Sequence, residues 1–553
     1  MNPYIVETVS NSIRRATPAV ARGLVIGGMI SLSLLAAGCG GGSSSDPGTS
    51  TSSTGSDGGG SGGGGTGAGG TGGGGGTGGT GGGGAGGGSG SDGTGSTGQS
   101  GQSAAPVVYV ADQDVYERYE LYKSDPSAPG GSIKLSGTLP VGGGVDTFTV
   151  TKSGAAVVYT ADGNTSGRTE LYLANVASPG VPVRINTPLT LNRDVIDFAV
   201  SPDGSKVAYR ADQDADDVFE LYLVDVAQPG QSVKLSAPLT TAGWVRTGFS
   251  FSPDGLHLVY RADQDVADRL ELYMVDIATP GVSKKVNPAL TADRNVYTVF
   301  GFSPDSKTIG YVADQDTDET LELYAVPTAS PGASKKLNGS LVAGGDVCRF
   351  KFSPDSKRVA YCADQDVDEV LELYTVALDT PGQSVKVNPP LVSGGKVTTG
   401  YEFSPDTTAI IYAANQESAT RTDLFRADLA TLGSAAKLNP ALVAGGGVVN
   451  FHISPDGARV GYTANQDDAG VYELYEVTLL APGTAQKLSA PMKKGGLFFF
   501  EYSADGKQVT YLADQDSDAS EVYRVDVATP GASSRLSGSL VAGGEVWDFT
   551  LAE

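Results

Sequence analysis

From residue 106 onward the chain alternates short apolar runs with polar punctuation, and the same order of runs returns again and again. An aromatic-rich run such as Phe249-Ser250-Phe251 or Phe350-Lys351-Phe352 ends in Ser-Pro-Asp-Gly or a relative of it, at Ser201, Ser252, Ser303, Ser353, Ser404 and Ser454. Pro presets φ at the first turn position and Gly supplies φ > 0, so this tetrapeptide predicts a hairpin turn. A second run follows, as at Val207-Ala208-Tyr209 and Val359-Ala360-Tyr361. After a polar loop comes Glu-Leu-Tyr-x-Val, as at Glu220 to Val224 and Glu271 to Val275. Pro-Gly marks the next turn in eight of nine repeats, with Leu432-Gly433 the exception. Lys234-Leu235-Ser236 typifies the last run, and a Gly-rich connection such as Ala343-Gly344-Gly345 leads onward. Short runs rich in Val, Tyr, Phe and Leu between Gly and Pro predict strands, here four per unit.

The period is regular. Ala-Asp-Gln-Asp starts at Ala111, Ala211, Ala262, Ala313, Ala363 and Ala513, with degenerate copies at Ala161, Ala414 and Ala464. Successive starts lie 49–51 residues apart, giving nine copies. Four strands per unit of about 40–50 residues is the signature of a β-propeller. One such sheet alone exposes two apolar faces, and radial stacking buries them. The ends predict closure. The chain enters at Val107-Val108-Tyr109, a second strand, and leaves at Val546 to Leu551, a first strand with no repeat after it. The expected fold is all-β: a single closed propeller of about nine four-stranded blades over 106–553, the first blade completed by the C-terminal strand, which removes free edges.

The region before the repeats is of a different kind. Arg14, Arg15 and Arg22 precede an apolar run from Gly23 to Gly38, about 16 residues and short of the roughly 20 that span a bilayer. A basic segment followed by a short apolar one reads as a secretory signal over 1–38. Leu34-Leu35-Ala36-Ala37-Gly38-Cys39 resembles a bacterial lipobox, with Ala36 where that motif prefers Leu. The resemblance implies lipidation of Cys39 and anchoring in a membrane, and Gly40 after the Cys implies the outer membrane. Arg14-Arg15 is followed by Ala16-Thr17-Pro18, which lacks the apolar residues of a twin-arginine signal. Residues 39–105 are almost all Gly, Ser and Thr, too polar to build a core. A chain of this kind is a flexible tether reaching roughly 45 Å.

Composition narrows the partners. The net charge is −24, which argues against nucleic acid as a ligand and against adhesion of the folded part to anionic lipid. Three Cys and two His exclude paired-Cys zinc sites and a reaction built on several histidines. Ser-Pro-Asp-Gly, Val-Ala-Tyr and Glu-Leu-Tyr together resemble the WD-like repeats of TolB-type propellers. The resemblance implies fold and says little of function, because propellers host many functions. No Gly-x-Ser-x-Gly elbow appears in the folded region, nor a hydrolase domain of the kind prolyl oligopeptidases attach to a propeller.

The densest candidate chemistry is the loop between second and third strands. Three loops read Asp-Gln-Asp-x-Asp-x-x-x-Glu: Asp212, Asp214, Asp216 and Glu220; Asp314, Asp316, Asp318 and Glu322; Asp364, Asp366, Asp368 and Glu372. Carboxylates at positions 1, 3, 5 and 9 resemble the calcium loops of EF-hands and of integrin propellers, and Ca²⁺ takes six to eight oxygens. Position 6, where that motif wants Gly, holds Asp217, Glu319 and Glu369. Solvated turns are the alternative, because carboxylates 4 Å apart repel by only about 1–4 kcal/mol outside a dry core.

Cys348 and Cys362 fall opposite each other if Pro354-Asp355-Ser356 is a three-residue loop, and export permits a disulfide between them. Two buried thiols are the alternative. His257 and His452 lie within strands and read as packing residues, and the Lys or Arg that starts each fourth strand reads as a solvated edge charge. Three functions follow as expectations. The first is a monomeric, membrane-tethered binding or scaffold propeller that meets an envelope protein or glycan through its loops. The second is an enzyme with a pocket over the central channel, marked by a blade-specific polar cluster; Trp244-Val245-Arg246 and Lys493-Lys494 are the mild breaks visible. The third is a calcium-stiffened structural or adhesive module.

Overall fold

The computed structural model describes residues 105–552, apart from 191 and 494. The signal segment, Cys39 and the Gly-rich stretch lie outside the described residues. The described part is a β-propeller of nine four-stranded antiparallel blades, with no helix among the described residues. The first strands of blades 2 to 9 are Val145–Val150, Val195–Val200, Val245–Phe251, Val296–Phe302, Val347–Phe352, Val397–Phe403, Val448–Ile453 and Leu497–Tyr502. Blade 1 takes its first strand from the C-terminus: Val546–Leu551 pairs with Val107–Ala111. The ring closes there. Val107, Tyr109, Leu512 and Val522 share one buried cluster, while Val108, Leu121, Val157 and Tyr159 share the next.

First strands of neighbouring blades abut around the axis, and the two- or three-residue fourth strands lie at the rim. Each blade hides both faces against its neighbours. The Leu of each Glu-Leu-Tyr run is fully buried, for example Leu121, Leu221, Leu323 and Leu474. Burying such a side chain stabilises the fold by about 1.5–3 kcal/mol. The second-strand Tyr pairs across the sheet with the third-strand aromatic in all nine blades, from Tyr109–Tyr122 to Tyr511–Tyr523, with ring centroids 5.4–5.7 Å apart. Offset aromatic pairs add about 0.5–1.5 kcal/mol each beyond their area.

The repeat places its loops on two opposite faces. The Ser-Pro-Asp-Gly hairpins join first to second strands on one face. The acidic loops and the Gly-rich connections share the other, where Thr240 N–H bonds the Gln264 carbonyl and Val541 N–H that of Gln113. In the hairpins Ser201 Oγ donates to Asp203 Oδ1 at 2.6 Å, and Gly204 takes φ +72°. Near the acidic-loop face the first strand shifts register against the second in every blade, a bulge that re-aims the strand's opening residues.

That bulge corrects the expected cysteine register. The hairpin between Cys348 and Cys362 closes with four residues rather than three, since Ser353 N–H bonds the Arg358 carbonyl. Cys362 therefore faces Arg349, and Cys348 is the extra residue of the bulge. A bulge sets two residues against one, so the sulfurs still meet: Cys348 and Cys362 are disulfide-bonded with Cα atoms 5.6 Å apart.

Candidate functional site

The acidic loop is built by its own residues. Its first Asp binds backbone. Asp212 Oδ1 accepts from Asp194 N–H at 2.8 Å and Oδ2 from Asp217 N–H at 3.3 Å. Asp314 accepts from Asn295 N–H at 2.6 Å, and Asp364 from Asp346 N–H at 2.5 Å and Glu369 N–H at 3.1 Å. The Gln accepts the second-strand Tyr hydroxyl, as Gln264 does from Tyr260 at 2.6 Å. The second Asp and the closing Glu converge on the fourth-strand cation. Lys234 Nζ sits 2.8 Å from Asp214 and 2.7 Å from Glu220; Lys386 sits 2.8 Å from Asp366 and 2.5 Å from Glu372; Lys336 sits 2.7 Å from Glu322 and 3.7 Å from Asp316.

So the four carboxylates expected to share a Ca²⁺ do three separate tasks. Positions 3 and 9 already hold an ammonium, and position 1 is taken by N–H groups. Asp216, Asp318 and Asp368 point to solvent at the loop tips. Among the described residues no three His, Cys, Asp or Glu side chains converge as a metal site requires.

The fourth-strand cations are also not free edge charges. Each of the nine contacts a nearly buried acid at 2.5–3.0 Å, from Lys134–Glu120 to Arg535–Glu521. These acid partners expose 9% or less of their side chains, so an isolated charge there would be costly. The spacing that carries the pair, Glu to Lys at fourteen residues, is present in the sequence and went unread for lack of the pairing register.

What remains for surface chemistry is the loop tip. Position 6 carries Glu117, Asp217, Asp268, Glu319 and Glu369 in five blades, all exposed. All five take φ between +57° and +61°, the left-handed region. Gly167 holds the same place in blade 2 at φ +78°. A residue with a Cβ is strained there by roughly 1–2 kcal/mol.

Two further features break the repeat. The first is on the inner wall. The first-strand residue opposite the one before the second-strand Tyr is Thr149, Ala199, Ser250 and Gly301 in blades 2 to 5. In blades 6 to 9 it is Lys351, Glu402, His452 and Glu501. Glu402 Oε1 lies 3.2 Å from His452 Nδ1, and its Oε2 accepts from Ile453 N–H. Burial opposes ionisation of Glu402, but His452, Lys351 and the Ile453 N–H together hold its carboxyl below the usual range. Burial pushes Glu501 up, against hydrogen bonds from Leu551 N–H and the Thr550 hydroxyl. His452 is half exposed and meets the Phe500 ring edge-on at 5.3 Å, and His257 bonds Asp276 at 2.7 Å, so both histidines have polar partners and His452 packs as well.

The second break lies near the axis at the acidic-loop end. In blade 3 Asp197 grips Arg210 through two contacts of 3.0 Å, and the guanidinium lies 5.6 Å from the Phe219 ring. Phe219 stacks on Trp244, which carries Arg246 at 4.2 Å on its face. In blade 1 Trp547 meets Tyr119 edge-on at 5.7 Å. Lys493 Nζ bonds the Asp516 carbonyl, while Lys494 lies outside the described residues. A shallow groove of about 550 Å³ beside Val367, Leu391 and the Glu372–Lys386 pair is lined by none of the residues of the two breaks.

No protein-family model matches the chain, and no curated protein matches it. Among solved structures, dipeptidyl peptidase 4 of Porphyromonas gingivalis is similar, with 13% identity and a TM-score of 0.52 over 70% of this chain and 59% of that one. A eukaryotic initiation factor is similar at 10% identity and a TM-score of 0.51, over 81% of this chain and 98% of that one. A TolB of Agrobacterium tumefaciens matches at 17% identity and a TM-score of 0.30, over 50% of this chain and 89% of that one. The chain thus spans 59% of the peptidase's length, and at these identities the shared property is the β-propeller fold.

Proposed function

We propose that the chain is a binding propeller, tethered at the bacterial envelope through lipidated Cys39, that engages a basic envelope protein with its acidic-loop face. One observation carries this reading: five blades keep an acid at a loop position whose backbone suits Gly. The strain brings no fold benefit that Gly167 does not already supply, and persistent strain of this kind points to function. The net charge of −24 acts in the same direction, since a face of one sign steers an oppositely charged partner. The chain enters the ring at Val107, the end of that strand away from the acidic loop. Replacing Glu117, Asp217, Asp268, Glu319 and Glu369 together with Gly tests it. The variant should fold, and it should lose salt-sensitive capture of protein from envelope extracts; undiminished capture would overturn the reading. For the anchor, labelled fatty acid should enter the wild-type chain and not Cys39→Ala.

The inner-wall arc favours a second reading, an enzyme with a pocket over the channel. Its residues would be His452 and Glu402 as a proton-transfer pair, with Glu501 beside them. A hydrolase or lyase substrate screen that found turnover abolished by His452→Ala would establish this reading over the first.

A further inference from the structure

Blades 1 and 3 differ by one missing charge. In blade 3 three side chains act together: the Asp197 carboxylate, the Arg210 guanidinium it grips, and the Phe219 ring beneath the guanidinium. The register gives each a counterpart in blade 1. Asp197 faces Arg210 as Asp548 faces Val110. Arg210 faces Leu221 as Val110 faces Leu121. Phe219 and Tyr119 hold the same loop position, each offering its carbonyl to the next blade's first strand, to Val245 and Val145. Blade 1 therefore keeps the carboxylate and the aromatic ring and replaces the cation with a buried Val. It adds a second ring, Trp547, beside Tyr119 and 42% exposed. The only hydrogen bond of the Asp548 carboxylate among the described residues comes from the N–H of Phe549.

The register sets Asp548 opposite Val110, on the blade face where Tyr119 packs, and a carboxylate that shares a face with aromatic rings suits an organic cation. Ring faces attract cations by about 0.5–2 kcal/mol, and an added carboxylate gives a charge-assisted hydrogen bond. The rest of the molecule demonstrates the preference: Arg210 and Arg246 each combine a ring contact with a carboxylate. We propose that Asp548, Trp547 and Tyr119 form a subsite for a basic side chain of a partner protein, an arginine in first place, which supplies from outside the guanidinium that blade 3 supplies from within. Arginine is favoured over lysine because its planar group can meet a carboxylate and stack on a ring at once. The acidic-loop face lies at the same end of the strand, so the subsite extends the surface proposed above; the inference rests on that reading and sharpens its partner.

The test uses the full chain and capped Gly-Arg-Gly, with capped Gly-Lys-Gly and Gly-Gly-Gly as comparators. The chain has two Trp, so in a Trp244→Phe background Trp547 is the sole reporter. Isothermal titration on the unsubstituted chain guards against a misfolded background. Gly-Arg-Gly should give a saturable signal, Gly-Lys-Gly a weaker one and Gly-Gly-Gly none. Asp548→Asn should weaken binding about ten-fold, while Asp428→Asn on the opposite, hairpin face should leave it unchanged. No saturable signal, or equal weakening by both substitutions, overturns the subsite. Failure here with capture from envelope extracts intact refutes the subsite alone; loss of both refutes the binding reading as well.

Discussion

Replacing Lys285 by Met isolates the interaction that recurs at every rim. Lys285 Nζ lies 2.6 Å from Glu271 and 2.8 Å from Asp265, and the Glu271 side chain is 1% exposed. At an effective dielectric of 20, a contact this short has a gross attraction of about 6 kcal/mol, most of it offset by desolvation. The decisive quantity is what remains when one partner goes. Without Lys285 the Glu271 carboxylate keeps, among the described residues, the Tyr273 hydroxyl at 3.2 Å and the Asn287 amide at 3.5 Å. Breaking a buried pair from one side costs about 3–5 kcal/mol. Lys285 is 28% exposed, so about 3 kcal/mol is expected. Glu271→Gln leaves Lys285 in contact with Asp265 and should cost about 1 kcal/mol, the scale of one hydrogen bond. The double variant buries no charge and should also cost about 1 kcal/mol, giving a coupling near 3 kcal/mol. Urea unfolding of the three variants, followed by near-ultraviolet circular dichroism, reads the cycle. A cost below 0.5 kcal/mol for Lys285→Met, or a coupling near zero, would refute the account of the rim.

Glu319→Gly relieves a left-handed residue and should raise stability by about 0.5–1 kcal/mol, against a loss for the same change in a strand; a lower urea midpoint would contradict the strain. Reducing the Cys348–Cys362 bond, which closes a 14-residue separation, should lower stability by about 3 kcal/mol, and thiol counting under denaturing conditions should find Cys39 as the sole free thiol of the unlipidated chain. Alkali should destabilise the rim. Lys134, Lys234, Lys285, Lys336, Lys386 and Lys487 are partly buried, yet their carboxylate partners hold them above the ordinary lysine value. Their contribution is therefore complete below about pH 10.4 and is lost as pH rises through the folded values. Acid acts on the hairpins instead: the Ser201 and Ser503 hydroxyls and nearby backbone N–H groups hold Asp203 and Asp505 at about 2, so these turns weaken as pH falls from about 4 toward 2. Melting temperatures across pH 2–11 check both limbs, and a flat profile above pH 10 would contradict the first.

The architecture was legible because each strand type has its own vocabulary and the two ends complete one blade. The site was less so, and the reason is register. Ala-Asp-Gln-Asp looks like a ligand set in sequence because its acids are close along the chain. Pairing brings Lys234 from fourteen residues beyond Glu220 and sets it against Asp214 and Glu220, two of the four acids. The cysteine reading assumed a shorter turn and missed the bulge, and these two displacements cancel. Lys351, Glu402, His452 and Glu501 sit about fifty residues apart, and aligning the repeats by their second-strand Tyr would have lined them up without coordinates. The Asp548–Val110 substitution needed the closure itself, because its halves come from opposite ends of the chain.

That closure also sets an order of events in time. The strand that completes blade 1 is the last strand of the ring to be made, while its partner Val107–Ala111 is among the first parts of the ring to appear. Until residue 551 is available the second strand of blade 1 has a bare edge, and blades 1 and 9 have no wall between them. Neighbouring blades can form as they emerge, because their strands are local in sequence, but the final contact spans more than 430 residues and is slow to find. A nascent chain thus stays an open arc, and it becomes a ring only after the strand Val546–Leu551 has been delivered.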